Sequence, residues 1–156
     1  MSEERQKTCA ERVQNELKGR LIDLRILYGE STKAEQNHFL KYQGYDGEYN
    51  ENELDDIWSE QRANYGLCFD YVAPETFKEQ PEGFFRYQLS TGGPGDEFRF
   101  FVNPNFSVHR IEYWFLDWFD GANVVLEGKD YELLKSIFED FKDIGSAQAE
   151  YERATE

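Results

Sequence analysis

The chain is short of several residue types, and each shortage excludes a class of protein. It has two cysteines in 156 residues, Cys9 and Cys68. They lie far apart and match no metal or redox spacing, so neither a disulfide framework nor a thiolate metal site is expected. Both are read as buried free thiols of a cytoplasmic protein. It has two histidines, His38 and His109, neither with a ligand or catalytic partner at a usable spacing. No GxSxG elbow occurs, so nucleophilic catalysis has no support; the chain is read as neither an enzyme nor a cofactor protein. The longest apolar run is Tyr113-Trp114-Phe115-Leu116, far below the ~20 residues of a membrane helix. The N-terminus, MSEERQK, has no apolar segment of the kind a secretory signal needs. Cations are scarce: 17 Lys+Arg stand against 32 Asp+Glu, for a net charge of -15 and a pI near 4.5. Direct binding to nucleic acid or to anionic lipid requires a basic footprint, which this chain lacks.

What it has in quantity is aromatic side chains, 17% of the residues. That is enough bulk to build a core, and the length suits one domain, 1–156. Cys9, Val13, Leu17, Leu21, Leu24 and Tyr28 recur every three or four positions. This predicts an amphipathic helix over 3–28, with Glu3–Lys7 and Glu16–Arg20 as i,i+4 ion pairs. Thr32 and Glu35 suggest a capping box for a second helix, 32–42. A polar loop follows over 44–51. Asn52 is read as the cap of a third helix, 53–65, with Leu54, Ile57, Trp58 and Tyr65 on its inner face.

The period then changes from helical to alternating. Leu67, Phe69 and Tyr71 form one such run, Phe85, Tyr87 and Leu89 a second, and Phe98, Phe100 and Val102 a third. Thr91-Gly92-Gly93-Pro94-Gly95-Asp96 is a turn between two of them. A strand over about 106–116, a turn at Asp120-Gly121 and a short strand over 123–127 complete the set. Tyr131, Leu134, Phe138 and Phe141 stripe a last helix, 129–143, and 147–156 reads as a frayed tail. The order predicts an α+β fold: an antiparallel meander of four to five strands, with the terminal helices on one face.

The charge is uneven. Residues 1–43 and 84–110 each sum to +1, whereas 44–83 sum to -9 and 111–156 to -8. One acidic block contains Asp46, Glu48, Glu51, Glu53, Asp55, Asp56 and Glu60. The other contains Glu112, Asp117 and Asp120, set among Tyr113, Trp114, Phe115, Trp118 and Phe119. Alternate side chains of a strand face opposite ways, so these aromatics cannot all point inward: either an outward Trp118 suits an interface, or Trp118 and Phe119 leave the strand and fold back under a corner of the core.

Two motif-like stretches carry little. Gly92-Gly93-Pro94-Gly95 opens no helix and is followed by no Gly-Lys-Ser/Thr, so it is a hairpin turn and not a phosphate loop. Asp46 to Ile57 has Glu51 where a calcium loop needs Gly and Ile57 where it needs Glu.

Carboxylates spaced like phosphates can occupy another protein's nucleic-acid groove, with the partner's Lys and Arg pairing to them. In size, acidity and the stretches GGPGDEFRFFV (92–102) and IEYWFLDWFDGA (111–122), the chain resembles the small acidic proteins by which phages and plasmids block host defence, the anti-CRISPR and antirestriction proteins. The resemblance implies an inhibitory binding protein, and carries over no residue; the charge and aromatic pattern is what assigns the acidic blocks and Trp118 to contact with a basic, nucleic-acid-binding surface. The alternative is an interaction module that uses the aromatics of 111–120, its acidity serving only solubility. An exposed sheet edge also leaves pairing of two copies open.

Overall fold

A computed structural model describes residues 8–117 and 120–156. Three helices come first: α1 (Cys9–Tyr28), α2 (Lys33–Tyr42) and α3 (Glu51–Tyr65). Five strands follow, β1 (Cys68–Val72), β2 (Phe84–Ser90), β3 (Gly95–Val102), β4 (Val108–Asp117) and β5 (Asp120–Val125). The chain ends in α4 (Gly128–Asp143) and α5 (Ser146–Thr155). The sheet is an antiparallel meander in the order β1-β2-β3-β4-β5, so the fold is α+β, with helices at both ends of the chain.

Helix starts are set by local chemistry. Thr8, Thr32 and Asn50 each accept from the backbone N–H three residues on, and Glu11, Glu35 and Glu53 each return the bond. These reciprocal bonds satisfy donors a helix start leaves orphaned. They also correct two expectations. Thr8 is extended, so α1 begins at Cys9 and not at residue 3; residues 3–7, with Lys7, lie outside the described residues. Asn50, not Asn52, caps α3.

The main core lies between the sheet and α1, α4 and α5. Phe85, Tyr87, Phe98, Phe100, Ile111, Tyr113 and Phe115 face Cys9, Val13, Leu17, Leu24, Leu134, Ile137 and Phe138. Rings stack within it, Phe69 on Phe141 at 4.1 Å and Phe100 on Phe138 at 5.1 Å. A satellite core of Leu27, Phe39, Leu40 and Ile57 fastens α2 and α3 to the end of α1.

The chain end is no frayed tail. Ala147 is fully buried, and Tyr151 packs on Tyr71 and Phe106 at 4.9 and 5.3 Å, which anchors α5. Cys68 is exposed, not buried, because it lies on the sheet face opposite the helices. The turn placed at Asp120-Gly121 belongs to β5, where Asp117 pairs directly with Asp120.

One polar network crosses the core. Asp96 on β3 is 4% exposed. It accepts from Arg20 Nε at 2.7 Å and Nη2 at 3.0 Å, from Tyr113 Oη at 2.7 Å, and from Ser90 Oγ. Arg20 Nη1 donates to Tyr65 Oη at 3.3 Å, and Tyr65 Oη donates to Asp23 at 2.8 Å. Arg20 therefore leaves Glu16, which pairs with Arg12 at 3.7 Å instead. Removing one partner of a buried pair strands the other. Asp96→Ala should lower stability by about 3–5 kcal/mol in urea unfolding.

Burial raises the phenol pKa of Tyr65, Tyr87 and Tyr113; at Tyr113 the bond to Asp96 adds to it. A raised pKa in the folded state is stabilising below the unfolded value, and that stability is lost as pH rises. Stability should therefore fall above about pH 10, the unfolded phenol value, and ionisation of these three phenols, followed by residue-resolved NMR, should appear together with unfolding. Ionisation of Tyr65, Tyr87 or Tyr113 in a still-folded protein would contradict this.

Candidate protein-interaction surface

The first acidic block is built on α3 and the loop before it. The loop is a packed element. Tyr45 and Tyr49 meet edge to face at 6.2 Å, both lie against the satellite core, and Trp58 stacks on Phe39 at 5.9 Å. With Leu54, Ile57 and Trp58 turned inward, Glu51, Glu53, Asp55, Asp56 and Glu60 have only the outer face of α3 available. All five are exposed, as are Asp46 and Glu48 on the loop. Glu53 is engaged with the cap of its own helix. The other six make no ion pair among the described residues. Carboxylates four apart, Glu51 with Asp55 and Asp56 with Glu60, lie about 6 Å apart along the axis, in two short rows on the flanks of the outer face. A cleft of about 860 Å³ lies between α2, the loop and the inner side of α3, lined by Lys33, Lys41, Asp46, Glu48, Tyr49 and Trp58.

The second block is arranged differently, because its carboxylates have partners inside the protein. Asp120 accepts from the backbone N–H of Cys9 at 2.8 Å, at the first turn of α1. That bond holds the Asp120 carboxyl below its usual pKa, and the site suits an anion because a helix N-terminus is positive. Burial, then the nearby Asp120, push the Cys9 thiol up. Asp117 lies 3.5 Å from Arg12, whose guanidinium stacks on Phe115 at 4.6 Å. Glu112 accepts from Trp114 Nε1 at 2.9 Å and Arg110 Nε at 3.1 Å. Tyr113 and Phe115 are buried in the core. Trp118 lies outside the described residues, as does Phe119.

Sequence reading missed the sheet face turned away from the helices. There Arg86 clasps Asp70 through two bonds, at 3.0 and 2.7 Å. Arg99 lies over the rings of Trp114 and Phe84 at 4.1 and 4.6 Å and donates to the buried Glu97 at 2.8 Å. Arg110 covers Phe101 at 3.9 Å and bridges Glu82 and Glu112. Each cation is matched by a carboxylate, and Arg99 and Arg110 also by rings. Segment 73–83 covers part of this face. Gln80 accepts from Phe77 N–H and donates to the carbonyls of Ala73 and Glu82, and Phe77 lies near Phe84. The signal in the sequence is an Arg at the outward parity of three successive strands. Among the described residues no cluster of three or more His, Cys, Asp or Glu is placed to hold a metal ion, and no helix is long and apolar enough to cross a membrane.

The two blocks thus differ in what charge reversal does to the fold. Asp55→Lys with Asp56→Lys should not lower the urea midpoint, since neither side chain has a partner among the described residues and reversal relieves like-charge repulsion. Asp117→Lys with Asp120→Lys should lower it, by placing cations against Arg12 and the first turn of α1. Equal midpoints for the two double variants would contradict this division.

No family model, curated protein or solved structure matches this chain.

Proposed function

We propose that the protein is an acidic inhibitory binding protein that docks, by stoichiometric binding, on a basic nucleic-acid-binding surface of a host defence complex of the CRISPR or restriction type. The observation that supports it is the set of carboxylates on α3 and its preceding loop, exposed and without internal ion pairs. Clustered like charges oppose the compact state by self-repulsion. Those of the second block are offset by Arg12, Arg110 and the start of α1. Those of α3 have no such offset among the described residues, and a cationic partner would supply it. The contact falls to Asp46, Glu48, Glu51, Asp55, Asp56 and Glu60. Glu112, Asp117 and Asp120 instead serve the fold, a narrowing of the surface expected from composition. The resemblance carried by 92–102 and 111–122 directs the reading to defence complexes.

The test uses purified restriction and CRISPR complexes. Binding of the full chain should weaken steadily as salt is raised, and excess duplex DNA should displace it. Asp55→Lys with Asp56→Lys should weaken it by at least about tenfold, with the fold unchanged by circular dichroism. Binding that ignores the double reversal and salt would overturn the electrostatic reading.

A further inference from the structure

The sheet has two edges, and they are finished differently. At one edge, β1 carries the Asp70–Arg86 pair, is followed at Pro74 by a residue that cannot extend a ladder, and is packed by α5 through Tyr71 and Tyr151. These are devices by which proteins blunt an edge. At the other edge, α1 packs against β5, but no proline follows the strand and, among the described residues, no arginine–carboxylate pair crosses it. Its residues Asp120 to Val125 include no Lys, Arg or Pro. Its register with β4 is unbroken, from Asp117↔Asp120 to Glu112↔Val125, whereas the β2–β3 and β3–β4 pairs are interrupted.

The direction of the β5 hydrogen bonds follows from one contact. Leu126 N–H donates to Ile111 O at 2.9 Å, in register with the β4–β5 ladder. In an antiparallel pair, directly bonded positions alternate with positions that turn their N–H and C=O to the other side. Val124, Ala122 and Asp120 therefore bond to β4, while Val125, Asn123 and Gly121 point theirs away from the sheet. Gly121 N–H is taken by the Asp120 side chain. Asn123 and Val125 present a donor and an acceptor each, and Val125 is 49% exposed. The edge is a six-residue template.

The charge around it selects the occupant. Asp120, engaged by backbone N–H groups, stands at one end of β5 and the exposed Glu127 just past the other, and neither has a cation partner among the described residues. A second copy paired about Asn123 would bring Asp120 of each chain close to Glu127 of the other, which like charge opposes. We infer that β5 accepts an extended segment of a partner protein as a sixth strand, the segment carrying Lys or Arg at both ends of a short β-branched stretch. Main-chain bonds to Asn123 and Val125 supply the register, and the terminal carboxylates supply the selectivity. The inference does not depend on the α3 surface.

The probe is a short synthetic peptide that alternates valine and threonine between lysine pairs. It is added to the full chain and followed by NMR amide exchange. Asn123 and Val125 amides should become protected, with Ala122 and Val124 already slow. A peptide with glutamates for lysines should bind at least about tenfold more weakly, and one N-methylated at alternate amides should not bind. Asn123→Pro removes an outward donor at a position where an edge tolerates it and should abolish the protection. The Asp55→Lys, Asp56→Lys variant should bind the peptide like the natural chain, which separates this test from that of the α3 surface. Unchanged exchange at Asn123 and Val125 would overturn the inference, as would equal binding of the N-methylated peptide. Protection of the same amides without peptide, with sedimentation as a dimer, would overturn it in favour of a second copy.

Discussion

The Arg20–Asp96 pair is the contact on which the arrangement of layers depends. Asp96 is a buried carboxylate near the start of a central strand, where an unpaired charge would be prohibitively costly. It is tolerated because four donors from three side chains converge on it: Arg20 twice, Tyr113 and Ser90. The Arg20 guanidinium then reaches Tyr65, and Tyr65 reaches Asp23. One network thus joins α1, α3, β2, β3 and β4. Apolar packing between a helix and a sheet tolerates sliding and rotation, whereas a two-bonded guanidinium–carboxylate pair has a fixed geometry. The hydrophobic stripe of α1 brings it to the sheet, and Arg20 sets where along the sheet it rests.

The same principle sorts the rest of the charge. On the sheet, and where it meets α1, carboxylates are answered: Asp120 by the start of α1, Asp117 by Arg12, Glu112 by Arg110 and Trp114, Asp70 by Arg86. Four of the chain's arginines, Arg12, Arg20, Arg99 and Arg110, also lie over an aromatic ring. The excess of -15 is therefore left where the chain is not answering it, above all on α3 and its loop. A packed loop and a stacked Trp58 hold that surface in one shape, and a preorganised charged surface binds a partner with less ordering cost.

Much of the architecture was legible because it rests on short-range pattern. The 3.6-residue stripes of α1 and α4 and the alternation of β1 to β4 correspond to observed elements, with ends displaced by a few residues. The displaced ends share a cause. Thr8 and Asn50 cap their helices because each has a Glu three residues on to return the bond, a signal that apolar periodicity and the neighbouring Asn52 obscure. The acidic cluster on α3 was legible too, since a helix with Leu54, Ile57 and Trp58 inside has little choice about where its carboxylates go. The same composition in 111–120 does not say that Asp117 will meet Arg12 of α1, or that Asp120 will meet the start of that helix.

The sequence by itself determined the fold class, a meander of four to five strands, the two acidic blocks and the near absence of cations from one of them. These follow from residue spacing and counting, which survive any folding. Only the tertiary structure decided which carboxylates are engaged. The partners of Asp96, Asp117 and Asp120 lie 76, 105 and 111 residues away in the chain. Pairings over such distances are set by how layers stack. Ala147 and Tyr151 belong to the same group: a short polar helix is marginal alone and forms here because one small and one aromatic side chain find a place against β1 and Phe106.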